Sequence, residues 1–96
     1  MPLIQVTPEL LEAKANEVRG LKSEHDEVMT KMKSLVHSLE EQWKGEAQTA
    51  FVEKFDGMQS TFNDFSEMLE GYASLMDTSA KTLREADAQL KSVIGQ

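Results

Sequence analysis

One feature constrains this chain more than any other: a seven-residue apolar repeat fills both halves and is interrupted once, at Trp43-Lys44-Gly45. In the first half one series reads Leu11, Val18, His25, Met32 and Leu39, and its companion reads Lys14, Leu21, Val28 and Leu35. An offset of three and four places both series on one side of a helix, as the seam of a coiled coil. A third series, Ala15, Lys22, Met29, Val36 and Trp43, lies beside them and widens the apolar face. The second half carries Phe55, Phe62, Leu69, Met76, Leu83 and Leu90 in one series. Phe51, Met58, Phe65, Tyr72, Ser79, Ala86 and Val93 form the other, and Val52, Met68, Ala73, Leu75, Ala80 and Ile94 broaden it.

Local signals set the boundaries. Residues 1–6 are short, apolar and expected to be extended. Thr7-Pro8-Glu9 is a helix start: Thr7 caps free backbone donors, Pro8 suits the first helical position, and Glu9 complements the positive helix end. Both prolines, Pro2 and Pro8, precede the long patterns, so nothing from Glu9 onward forbids helix on proline grounds. Gly45 can take backbone conformations that end helices, and Glu46 suits the start of the next. The pattern predicts an all-α chain, a single antiparallel hairpin domain spanning 1–96. Helix one is expected near 8–42, the turn at 43–45 and helix two near 46–94, with a frayed tail at 91–96. The longer second helix is expected to overhang the first near residues 82–96. Gly20, Gly57 and Gly71 fall on outward positions, where each costs about 1 kcal/mol of helix propensity without opening a core.

A hairpin gives each helix one neighbour, which cannot cover faces this broad. Pairing with a second hairpin into a four-helix bundle covers them. A homodimer is the simplest version, and a related but different hairpin could take the second place.

The remaining composition excludes several classes of function. A formal net charge of −7 argues against nucleic acid as a partner and against attraction to anionic lipid head groups. There is no cysteine, so disulfide, thiolate and zinc–thiolate chemistry are all excluded. His25 sits on a seam position, where a register-setting or hydrogen-bonded core role is the default, and His37 lies on another face. Lys22 and Ser34 stand three residues before the two histidines, so the Glu-x-x-His pattern of di-iron bundles is absent. Met29, Met32, Met58, Met68 and Met76 are core-filling residues at helical spacing. No strand-turn-helix elbow or Gly-rich loop supports a catalytic serine. The chain therefore reads as a non-enzyme with no metal and no cofactor, acting through helix association. Its N-terminus lacks the basic stretch and long apolar core of a cleavable signal peptide, and no window approaches a membrane-spanning length. An indole at a hairpin tip has two readings: Trp43 plugs the bundle end while Gly45 reverses the chain, or Trp43 marks a recognition surface.

Together these residues resemble the Trp-X-Gly family of roughly hundred-residue proteins, also called early-secreted-antigen or Esx-like proteins. The resemblance rests on Val6-Thr7-Pro8-Glu9 at the entry, a first helix of matching length, Trp43-x-Gly45 near mid-chain, and Ala47 and Phe51 after it. It implies a hairpin that dimerises antiparallel into a four-helix bundle. It further implies secretion, without a cleavable signal peptide, through the type VII system of Gram-positive bacteria or mycobacteria, after synthesis in the cytoplasm. Trp43 and Gly45 are then the turn half of a composite signal read by the secretion ATPase, beside the partner's tail. Virulence factors occur in such a family. One departure is plain: Tyr72 is followed four positions later by Met76, and Asp77 is one step too far for a Tyr-x-x-x-Asp/Glu tail motif. The resemblance leaves open an adaptor for a larger secreted effector, and the amphipathic seams leave open a membrane-active effector. Leu11, Val18, Met32, Leu39, Phe55, Phe62, Leu69, Met76 and Leu83 are the expected core and dimer seam.

Overall fold

A computed structural model describes residues 6–95 of the chain. The expected extended stretch at 1–5 and the last tail residue, Gln96, lie outside the described residues. Three α-helices occur, α1 (Pro8–Ser38), α2 (Glu46–Gly57) and α3 (Gln59–Ile94), with a 3₁₀ turn at Leu39–Glu41 and no strand among the described residues. The all-α hairpin expected from the repeat is what the chain forms, in a rod of 78 × 23 × 20 Å.

Helix α1 starts as the local signal predicts. Thr7 is extended (φ −101°, ψ 155°), and its Oγ1 accepts a hydrogen bond from the Leu10 amide at 3.1 Å. The α-helix ends at Ser38, earlier than residue 42, and tightens into the 3₁₀ turn. The Gln42 and Trp43 amides both donate to the Leu39 carbonyl, at 3.1 and 2.8 Å. Two acidic residues, Glu40 and Glu41, sit where the helix dipole is negative, which disfavours further α-helical extension. The tighter turn uses up carbonyls that the helix end would leave free.

The second rod is not the single helix expected over 46–94. It breaks at Met58, whose backbone (φ −87°, ψ −5°) lies in the bridge region between helix and strand. The Met58 amide bonds to Phe55 three residues back, and the ladder resumes with Phe62 donating to the Met58 carbonyl. Gly57, the poorest helix former short of proline, immediately precedes the break. At the far end the tail remains helical to Ile94, and the Gly95 amide bonds to Lys91 at 2.8 Å.

Packing between the rods reveals which repeats face inward. The buried residues are Ala15 and Val36 on α1, Val52 and Phe55 on α2, and Ala73 and Ala80 on α3. Leu11, Val18 and Leu39 are half-buried opposite Phe62, Leu69, Met76 and Leu83, whereas Met32 remains exposed. In heptad terms the first series and the small-residue series face the partner rod. The companion series, Leu21, Val28 and Leu35 with Phe51, Met58, Phe65 and Tyr72, does not. Alanines at 15, 73 and 80 let the backbones approach beside the bulkier Phe55, Phe62, Leu69 and Met76. No large side chain among the described residues is fully buried.

Candidate functional site

Two surfaces could carry function: the bend and a broad apolar face along the rods. At the bend, Gly45 caps α2 with φ 128° and ψ 179°. That region is essentially closed to residues with a Cβ, so glycine is required here by backbone geometry. It differs from the left-handed helix-ending conformation expected from sequence, because Gly45 starts α2 and does not stop α1. The Gly45 carbonyl accepts from the Thr49 amide at 3.1 Å and the Thr49 hydroxyl at 3.3 Å. The second turn of α2 presents Phe51 to Trp43, with ring centroids 5.7 Å apart and planes tilted by 51°. Trp43 keeps 37% of its surface exposed. The indole is thus held against one aromatic neighbour while its other side is open, so plug and recognition surface are compatible at this position. Below it, His37 Nε2 lies 3.2 Å from Asp56 Oδ1 and His37 Nδ1 3.3 Å from Glu40, tying the two limbs of the bend together.

The apolar face is larger. Leu21, Val28 and Leu35 on α1 line up with Phe51, Met58, Phe65, Met68, Tyr72 and Leu75 on the second rod. Their exposures run from 45% (Met58, Phe65) to 61% (Leu35, Leu75). At 100° per residue these positions lie on the same flank of each rod's inward direction. Because the rods are antiparallel, the two flanks turn to one side of the hairpin, and the rows form one continuous sheet of side chains. Phe65 marks the join, its ring 5.0 Å from that of His25 on α1. A contiguous apolar face of this extent is a mark of an interaction site.

The opposite flank is polar and fixes the register of the rods. Arg19 Nη1 donates to Asp77 Oδ2 at 2.7 Å and Nε to both oxygens of Glu70 at 3.3 Å. Ser66 donates to Asp26 Oδ1 at 2.7 Å, and Lys22 reaches the other oxygen of Asp26 at 3.3 Å. These bonds hold the Asp26 carboxyl below its usual range, with Ser66 the leading cause and His25 next. Arg84 binds Glu12 and approaches Glu9, and that hydrogen bond lowers the Glu12 carboxyl in the same way. Nothing in the sequence pattern singles these charges out. Lys22 and Ser66 on inward series were the visible hint, but their partners emerge only once the register is known.

Both tail expectations change with this register. Asp77 is bound to Arg19, so it is a hairpin staple, and Tyr72 belongs to the exposed apolar face. The overhang starts later than residue 82, since Leu83 is half-buried and Arg84 is tied to α1. Beyond it Leu90, Val93 and Ile94 are among the most exposed apolar residues, Val93 at 71% and Ile94 at 73%. Among the described residues no cluster of three or more His, Asp or Glu could hold a metal ion, and no helix is long and apolar enough to cross a membrane.

Comparison with known proteins agrees with this architecture. The family described as proteins of 100 residues with WXG matches residues 3–88. An uncharacterised protein of Clostridium acetobutylicum is 34% identical over 93% of this chain and 93% of its own length. Type VII secretion system extracellular protein A of Staphylococcus aureus is 22% identical over 99% of this chain and 98% of that protein. Among solved structures, the secreted protein EsxB of Bacillus anthracis superposes with a TM-score of 0.80 at 28% identity, covering 91% of this chain and 99% of that one.

Proposed function

Because this chain belongs to the family of hundred-residue proteins with a Trp-x-Gly motif, we propose that it is a small type VII secretion substrate that leaves the cell as a self-paired helical hairpin. The observation that carries the self-pairing is the half-exposed apolar face from Phe51 to Leu75 and its continuation on Leu21, Val28 and Leu35. Its nine side chains are each about half uncovered, and covering them contributes roughly 10 kcal/mol per copy at about 1.5–3 kcal/mol for a full burial. Sedimentation at micromolar concentration is expected to give a dimer, and a fully helical monomer would overturn the reading.

The bend supplies the recognition element. Trp43 stands half-free on a turn that Gly45 alone can make, a rigid and exposed feature suited to being read by the secretion ATPase. The export reading is supported by the likeness to type VII secretion system extracellular protein A of Staphylococcus aureus. Trp43→Arg is expected to keep the helical content and the dimer while removing the protein from the culture medium. Export of that variant at the normal level would refute a signal at the bend.

A second reading is favoured by the tail. Tyr72 and Asp77 are both committed to other surfaces, so the familiar tail motif is unavailable within this chain. An adaptor that pairs with the hairpin of a larger effector would obtain a tail from its partner. Co-expression with such an effector would then replace the homodimer by a mixed complex.

A further inference from the structure

Along the polar flank the ties between the rods keep the seven-residue repeat and then miss a step. Glu12 binds Arg84, Arg19 binds Glu70 and Asp77, and Asp26 accepts from Ser66. Lys33 is the next member of that series, and it enters no ion pair among the described residues. The following tie is at the bend, where His37 lies against Asp56. The register of these ties places Lys33 level with Gln59, the first residue of α3 after the break at Met58. Gln59 stands where the partner of the missing step is due, yet its side-chain nitrogen is buried without a hydrogen-bond partner. Buried donors are nearly always satisfied, so this one calls for a partner.

The missing step is a groove of about 560 Å³ between the rods. Half-buried Met29 and Phe62 line its floor. Lys33 and Gln59 offer donors at one end. At the other end Glu67 stands level with Asp26 and, like Lys33, enters no ion pair among the described residues. Asp26 is already engaged by Ser66 and Lys22, so Glu67 is the acceptor left open. The two ends are one heptad apart, about 10 Å along the rods.

We propose that this groove seats one helix of a partner protein, whose contacting stripe carries an acidic residue, a large apolar residue one turn on and a basic residue two turns on. The acid meets Lys33 and the Gln59 nitrogen, the apolar side chain covers Met29 and Phe62, and the base meets Glu67. A furrow with an apolar floor and polar edges, between two antiparallel rods, is the seat that a third rod takes in a helical bundle. The spacing agrees, since two turns of the incoming helix span the same length as two turns of α1. A simple anion would leave Glu67 unpaired and the floor wet, against a chain of net charge −7. The groove lies on the flank opposite the apolar face, so this inference does not rest on the self-pairing and holds for one hairpin or two.

The probe is an alanine-rich helical peptide of about 20 residues, long enough to hold helix in water, added to the full chain. It carries one glutamate, a leucine four positions on and a lysine seven positions on. Amide NMR is expected to show saturable shifts at Thr30, Lys33, Gln59 and Asn63, with the Gln59 side-chain NH₂ moving most. Lys33→Glu is a change at an exposed residue, expected to keep the helical content and weaken the peptide about tenfold. A peptide with lysine in place of its glutamate is expected to bind that variant as the first peptide binds the native chain. Failure of this exchange to restore binding would overturn the charge pairing on which the proposal stands. Absence of saturable shifts up to millimolar peptide would overturn the site and leave the Gln59 nitrogen to an ordered water. Shifts confined to Leu21, Val28 and Phe65 would place the peptide on the apolar face and overturn it equally.

Discussion

The two long faces of this hairpin use opposite strategies. The inner seam is built on small residues, Ala15, Ala73 and Ala80, flanked by the ion pairs of Arg19 and Arg84. The outer face carries the bulk: three aromatic rings and two methionines, none of them buried in the single chain. Small residues give close approach and polar partners give register, but neither supplies much apolar area. The hairpin is therefore shaped by one face and left in need of the other. Such a molecule is preorganised for association, since the rods are aligned before the partner arrives.

The difference is broken most severely by charging the outer face. Phe65→Asp places a carboxylate at its centre. The lost burial of this half-exposed ring alone is expected to weaken association by about 1.5–3 kcal/mol over two copies. Sedimentation should show monomers at concentrations where the native chain is dimeric, with circular dichroism recording a partial loss of helix. An unchanged dimer would show that the face is not the interface.

A bulky residue on the inner seam tests the other half. Ala73 is fully buried between α1 and α3. Ala73→Leu adds three carbons where the backbones meet and is expected to destabilise by about 1–3 kcal/mol. Thermal unfolding at fixed concentration measures it. A smaller enlargement at the outward Gly71, Gly71→Ala, meets nothing within 4 Å in the single chain and should not destabilise the hairpin. If Ala73→Leu is equally harmless, the seam is looser than the alanines imply.

How much of this was legible in the sequence depends on the interaction concerned. The heptad repeats and Thr7-Pro8-Glu9 are local or periodic signals, and the hairpin and its first cap follow from them. The repeats did not separate the residues that face inward within one hairpin from those left on its surface. The series named as core and dimer seam, with Phe55, Phe62, Leu69, Met76 and Leu83, does turn inward, but hydrophobicity gave no sign that the small Ala15, Ala73 and Ala80 would be the most deeply buried. The break at Met58 was hidden because an apolar seam residue carries it, and Gly57 was read as a tolerated outward glycine. Arg19, Asp26 and Arg84 were missed since their partners lie 40 or more residues away in sequence. At the bend, Trp43 and Gly45 stood out by type, but the Trp43–Phe51 contact depends on α2 starting at Glu46.

A smaller change sharpens the comparison at the point where the second rod bends. Gly57 has no positive φ and nothing within 4 Å of an added Cβ, so no contact requires glycine there. Gly57→Ala is expected to stabilise the helical rod by about 1 kcal/mol through helix propensity. Melting above the native midpoint, with amide exchange slowed at Met58 and Gln59, would tie the break to this glycine. A lower midpoint would mean that the bend is needed for packing.

The mildest probe is acid, which acts on the polar flank and leaves the apolar face untouched. Asp26 and Glu12 are both depressed below their ordinary values of 3.8 and 4.5, by hydrogen bonds from Ser66 and Arg84 in turn. A depressed carboxyl stabilises the fold fully above its unfolded value, and the contribution is lost as pH falls through the lower folded value. Stability from these two groups should thus be constant at neutral pH and decline below about pH 4.5, continuing past pH 3.8. Both are solvent-facing, so the effect is a modest shift in melting temperature and not acid unfolding on its own. The doubly substituted Asp26→Asn, Glu12→Gln chain should melt lower at pH 7 and converge with the native chain at low pH. Convergence would assign the acid sensitivity to the staples that set the register. A gap that stays constant down to pH 2 would mean that the two carboxylates contribute through shape alone.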